Sequence, residues 1–196
     1  MNLNYTFPME FTDSTNYYFY EQGFSKEELE LIESSVSEIP WQKAVAVGGG
    51  EDIRDSRIKW VPQNEEWRWL YKKLCDMAIQ ANDALWKFDL NQIPEQIQYT
   101  EYNAPSGHYD WHVDIGPGVL SCRKISITVQ LSEPDEYEGG ELQLFRGGSS
   151  DGPHTEALKK AGCVFIFPSY LMHRVKPITN GTRKSFVLWL GGGHYK

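Results

Sequence analysis

His112-Val113-Asp114 places an imidazole and a carboxylate two residues apart in a strand-like segment, where side chains at i and i+2 share a face. Both groups are ligands for a divalent metal. A second imidazole from a distant strand would complete two His and one carboxylate, the facial arrangement of non-haem Fe(II) centres, with three coordination positions left open. His173 is the natural candidate, since it follows the apolar run Val164 to Phe167 and Pro168-Ser169. His108, His154 and His194 lie in segments with less to hold them. Downstream, Arg183 and Ser185 are again i and i+2. A guanidinium fork and a neighbouring hydroxyl suit a carboxylate. A structural zinc site fits poorly, because such sites are four-coordinate and rich in Cys. Cys75, Cys122 and Cys163 all lie away from the triplet and read as free thiols.

Those residues need a scaffold, and from Gln96 onward the periodicity is that of strands. Ile125, Ile127, Val129 and Leu131 alternate with Lys124, Ser126, Thr128 and Gln130, and short strand-like runs follow at 141–145, 164–167 and 185–190. Turn-rich breaks separate them, among them Asn180-Gly181. The pattern predicts a mainly β fold of sandwich or jelly-roll type. Two helices precede it. In the first, Ser25 and Glu28 form a capping box, Phe24 staples towards Leu29, and Leu29, Ile32, Val36 and Ile39 make the stripe until Pro40 ends it. The second starts after Pro62 with Asn64 as cap and presents Trp67, Leu70, Leu74, Met77 and Ala81. Tyr17 to Tyr20 reads as an aromatic-rich strand that pairs with the sheet. Trp60, Trp67 and Trp86 read as packing, and Gly191 to Gly193 as a frayed exit. The loop from Val45 to Arg57 and the turn from Gly147 to Pro153 are positioned to rim a pocket.

The chain has 196 residues, 40% hydrophobic and 14% aromatic, enough for one domain with one sizeable core. The expected organisation is a single domain over 1–196, with an N-terminal support region (1–95) and a β core (96–190). The formal charge is −8, with eight acids against one Lys in residues 1–38 and no acid from Ala157 to Lys196. That balance argues against nucleic acid as a partner while leaving a basic end for a small anion. No apolar run reaches the roughly 18 residues of a membrane span. The first basic residue is Lys26, so the chain has no basic leader region, and a cytoplasmic location is expected.

Taken together in order, these motifs resemble the Fe(II)- and 2-oxoglutarate-dependent dioxygenases, in the prolyl-hydroxylase-like branch. The resemblance rests on Tyr102 and Tyr109 before His112-Val113-Asp114 and on Leu131-Ser132-Glu133-Pro134. It extends through Tyr137 with Gly139-Gly140-Glu141-Leu142, and through Phe167-Pro168-Ser169 to His173 and Arg183. It implies a double-stranded β-helix, cupin-like, with N-terminal helices supporting one sheet. It also implies Fe(II) on His112, Asp114 and His173, with 2-oxoglutarate on Arg183 assisted by Tyr102 and Ser185. Tyr109, Arg123 and Trp189 match positions near the substrate. The implied reaction uses O2 to convert 2-oxoglutarate to succinate and CO2 while hydroxylating a C–H bond, with a peptide or protein substrate and peptidyl proline favoured. Asp114, where a small residue would make room for halide, favours hydroxylation over halogenation. One departure is Gln130, where some members carry an aromatic before the Leu-Ser pair. The alternative from another class is a non-catalytic jelly-roll binding or viral accessory module that retains the pocket.

Overall fold

The computed structural model describes residues 16–44, 53–146 and 152–193. The chain runs β1 (Tyr18–Tyr20), α1 (Lys26–Val36), β2 (Gln42–Lys43), β3 (Arg54–Asp55), β4 (Arg57–Val61) and α2 (Arg68–Ala84). It continues with β5 (Leu90–Gln92), β6 (Ile97–Asn103), β7 (His108–His112), a 3-10 turn (Gly118–Cys122), β8 (Arg123–Gln130), β9 (Tyr137–Gly139) and β10 (Leu142–Phe145). β11 (His154–Glu156), β12 (Val164–Pro168), β13 (His173–Val175) and β14 (Ile178–Gly192) complete it. The strands make two antiparallel sheets. The larger has the order β1-β12-β8-β14-β6-β4-β2, with β5 and β9 also on β14, and the smaller β11-β10-β13-β7-β3. This is the expected jelly roll, or double-stranded β-helix.

The two-residue period decides which side of the larger sheet each side chain serves. On β8, Ile125, Ile127 and Val129 join Leu70 and Leu74 of α2 in a core under the helices. Their neighbours Ser126 and Thr128 point the other way and line a cavity between the sheets. β14 repeats the division. Phe186, Leu188 and Leu190 enter the helix-side core, while Arg183, Ser185 and Trp189 face the cavity. A second apolar cluster, including Tyr102, Leu144, Phe165 and Phe167, fills part of the space between the sheets. Phe186 is fully buried and meets Tyr99 edge-on at 5.7 Å. Phe186→Ala is therefore expected to cost about 3–5 kcal/mol, read as a lowered urea midpoint at unchanged m-value.

α1 starts as expected, with the Glu28 N–H donating to Ser25 Oγ (3.3 Å) and the Ser25 N–H to Glu28 Oε2 (2.8 Å). It ends at Val36, short of Pro40, because the buried Lys59 ammonium donates to the carbonyls of Val36 (2.6 Å) and Ser37 (3.3 Å). Those bonds satisfy terminal carbonyls and close the helix a turn early. α2 begins at Arg68, later than expected, since Asn64 Oδ1 accepts from the Trp67 N–H (3.1 Å) and caps the preceding turn instead. Asn180-Gly181 is not a break. Gly181, at φ +73°, lies inside the 15-residue β14, which pairs with β9 there and then with β6 and β8. Gly191 and Gly192 are likewise strand residues, paired with β5, not a frayed exit. β1, the aromatic-rich strand, pairs with β12 at the edge of the larger sheet. Most of both expected rim segments (45–52 and 147–151) lies outside the described residues. No helix among the described residues is long and apolar enough to cross a membrane.

Candidate metal centre and anion cavity

β7 and β13 are antiparallel neighbours, and their register sets His112 directly opposite His173. The two rings lie 4.1 Å apart, centroid to centroid. Asp114 is not on the strand, which stops at His112. Its N–H donates to the Ser169 carbonyl (2.9 Å), so the segment after β12 holds it against the imidazoles. Asp114 Oδ1 is 3.7 Å from His112 Nε2, and Oδ2 is 3.5 Å from His173 Nε2. The three ligand atoms fall within 4.8 Å of one another and could hold one metal ion.

The protonation pattern suits a metal. The Nδ1 atoms of His112 and His173 sit 2.7 Å and 2.8 Å from the carbonyls of Asp110 and Leu171. Those carbonyls take the Nδ1 protons and leave the Nε2 lone pairs facing Asp114. Burial, followed by the neighbouring His173, pushes the His112 pKa down, so its imidazole is neutral at pH 7. Burial alone would raise Asp114, but His173, His112 and the Ser126 hydroxyl outweigh it and keep the carboxyl ionised. The Ser126 hydroxyl donates to Asp114 Oδ2 at 2.6 Å and pairs with Ser169 Oγ at 3.0 Å. Tyr109 stacks on His112 (3.4 Å, 11°) and Phe167 meets His173 edge-on (4.8 Å), fixing both rings.

Arg183 lines the same cavity, which measures about 290 Å³. Its guanidinium is buried at 3% exposure, donates to Ser185 Oγ (3.3 Å) and lies over the Tyr102 ring (5.6 Å). Among the described residues no carboxylate pairs with it. A buried cation without a counter-ion is costly, so this end of the cavity is built for an anion. Gly140, at φ +64°, keeps the space beside it clear, since a Cβ there would meet Arg183 Cδ and Tyr137 Cε2 at 3.1 Å. Tyr137, whose hydroxyl accepts from Gln130 Nε2 (3.0 Å), stays a neutral phenol because burial raises its pKa against the opposing pull of Arg183. Gln130 thus anchors a tyrosine that enters from β9. The donor set fits Fe(II), and the unpaired guanidinium in the same cavity fits the distal carboxylate of 2-oxoglutarate.

The remaining expected residues divide. Tyr109 faces the cavity, and burial raises its phenol to about 12. Arg123 and Trp189 also line it, but the Arg123 guanidinium is engaged. It donates from Nε to Glu95 Oε2 (2.6 Å) and from Nη1 to the Asp114 carbonyl (3.1 Å), and it stacks on Trp189 at 3.6 Å. Arg123 therefore braces the Asp114 backbone. Trp60, read from sequence as packing, lines the cavity as well. Sequence reasoning missed Glu95 and Ser126 as parts of the site, and placed Arg54 only within a rim segment and Tyr137 only within a motif. Ser126 and Thr128 had a legible signal, since they sit on the polar face of a strand whose every residue is buried.

Residues 97–191 match the family model described as the 2OG-Fe(II) oxygenase superfamily. A PKHD-type hydroxylase of Nitrosomonas europaea is 28% identical over 175 residues, covering 85% of this chain and 74% of the relative. Among solved structures, a Pseudomonas putida prolyl-4-hydroxylase superposes with a TM-score of 0.68 at 20% identity, over 91% of this chain and 93% of that one. A Trichoplax adhaerens prolyl hydroxylase, in complex with a hypoxia inducible factor oxygen degradation domain peptide fragment, gives 0.71 at 16%, over 90% and 84%. At such identities the structural likeness establishes the fold.

Proposed function

We propose that the chain is a member of the 2OG-Fe(II) oxygenase superfamily, whose family model matches residues 97–191, that His112, Asp114 and His173 hold its Fe(II), and that Arg183, with Tyr102 and Ser185, holds 2-oxoglutarate. The protein is a 2-oxoglutarate-dependent hydroxylase. Iron, cosubstrate and O2 supply the oxidative chemistry, in which 2-oxoglutarate becomes succinate and CO2 and a substrate C–H becomes C–OH. The chain's own residues bind and orient. Arg183 fixes one end of the cosubstrate and thereby directs its other end towards the imidazoles. Asp110 and Leu171 hold the histidine tautomers, and Ser126 orients the Asp114 carboxylate. Tyr102, Phe167 and Trp189 line the cavity and exclude water around the reacting groups.

The proposed substrate is a prolyl or other amino-acid residue, presented in a peptide. The prolyl hydroxylases of matching fold, one of them bound to a peptide, support that class. Tyr109, Arg123 and Trp189 form the wall on which the residue rests, with Arg123 also holding the Asp114 backbone. The observation that carries the reading is a buried, unpaired Arg183 in one cavity with a two-His, one-carboxylate donor set. A binding module has no need of that combination. The test is O2-dependent succinate formation from 2-oxoglutarate by anaerobically iron-loaded protein, with and without a proline-rich peptide pool. A slow basal rate that rises severalfold with peptide is expected. Turnover indifferent to peptide would discard the prolyl class, and absence of turnover in every mixture would discard the assigned site.

A further inference from the structure

Three arginines line the cavity, and the proposed reaction uses two of them. Arg183 receives the cosubstrate, and Arg123 is committed to Glu95, the Asp114 carbonyl and Trp189. Arg54 is the third. It stands on β3, at the edge of the smaller sheet, opposite Tyr109 in the β3–β7 register. Its Nε donates to Ser56 Oγ (2.8 Å) and its Nη2 to Gln98 Oε1 (2.8 Å), both neutral acceptors. Among the described residues, Nη1 meets no hydrogen-bond acceptor and no acidic side chain pairs with the guanidinium. The two acids among the described residues that line the cavity are already engaged, Glu95 by Arg123 and Asp114 by the proposed metal site. Arg54 is therefore a half-buried cation held rigid by two side-chain bonds, with one donor left over. Its guanidinium carbon lies 4.7 Å from the centre of the Tyr109 ring, and that ring stacks on His112.

From this geometry we propose that Arg54 is a substrate carboxylate subsite: the hydroxylated residue carries a carboxylate, its own or that of an adjacent acidic side chain, which Arg54 binds beside the metal centre. This rests on the site reading above and narrows its substrate class. A fixed guanidinium one aromatic ring from a metal-ligating imidazole holds such an anion within a residue's length of the reacting centre. With iron and 2-oxoglutarate in place, Arg54 is the remaining uncompensated charge among the described residues that line the cavity, so an anionic substrate is attracted and a cationic one repelled.

The test uses the full chain loaded with Mn(II) and 2-oxoglutarate, which binds without turnover, and four probes. N-acetyl-proline and N-acetyl-prolinamide are compared by calorimetry, as are N-acetyl-leucine and N-acetyl-leucinamide. The acid is expected to bind about 10- to 100-fold more tightly than its amide. That preference should vanish in Arg54→Gln and persist in part in Arg54→Lys, with 2-oxoglutarate affinity unchanged in both. A preference that survives Arg54→Gln, or the absence of any carboxylate preference both in the acid and amide pairs and in peptides carrying Pro-Asp, would overturn the subsite. A carboxylate preference shown equally by the leucine pair would keep the subsite and remove the prolyl class instead. Peptides ending in Pro, compared with peptides carrying Pro-Asp and an amidated end, then separate a terminal carboxylate from a side-chain one.

Discussion

Asp114→Ala is expected to release the metal while leaving the fold intact. After desalting, the parent should retain close to one equivalent of Fe(II) or Mn(II), and the variant almost none. The magnitude follows from the donor set. Losing a partner that merely orients a metal ligand costs about 10–100-fold in affinity, and Asp114 is the proposed anionic donor itself, so a loss beyond about 100-fold is expected. The fold survives because the structural bonds at this position belong to the backbone. The residue's N–H still reaches the Ser169 carbonyl and its carbonyl still accepts from Arg123. Ser126 loses an acceptor but keeps Ser169 as a partner. An unchanged circular dichroism spectrum with absent metal is the expected pair of readings. Retained metal stoichiometry would remove Asp114 from the ligand set.

Arg183→Ala should do the reverse, sparing the metal and weakening 2-oxoglutarate about 100-fold or more, the scale of a lost bidentate, charge-assisted contact in a buried site. Thermal shift separates this from damage to the fold. In the parent, 2-oxoglutarate at about 100 times its Kd should stabilise by about 2.7 kcal/mol, and in the variant the same concentration should do almost nothing. Without cosubstrate the variant should be no less stable than the parent, because Arg183 has no acidic partner among the described residues to lose and its burial is uncompensated there. Arg183→Lys should fall between them, since an ammonium supplies the charge but not the two-pronged geometry. Equal cosubstrate affinity in parent and Arg183→Ala would assign the distal carboxylate to another cation.

Local rules carried the elements a long way. The capping box at Ser25 is a four-residue event and forms as written. The alternation along β8 assigned Ile125, Ile127 and Val129 to one face and Ser126 and Thr128 to the other, and the structure keeps that division. What failed were boundaries set by distant residues. α1 stops early because of Lys59, 23 positions further on, and Asn180-Gly181 is absorbed into β14 because β9 pairs with it. Neither partner is visible in the local sequence.

The site divides in the same way. The sequence by itself determined the donor types, the imidazole-carboxylate spacing and the later imidazole and guanidinium, because these are identities and short separations along the chain. Tertiary structure decided the rest. The β7–β13 register puts His173 opposite His112, and the segment after β12, not a strand, positions Asp114. Which of three arginines keeps an acidic partner was decided there too: Glu95 is 28 residues from Arg123 and reaches it in space, while Arg54 and Arg183 meet no acid among the described residues. Charge compensation depends on folded distances of a few ångströms, and a linear sequence does not contain those distances.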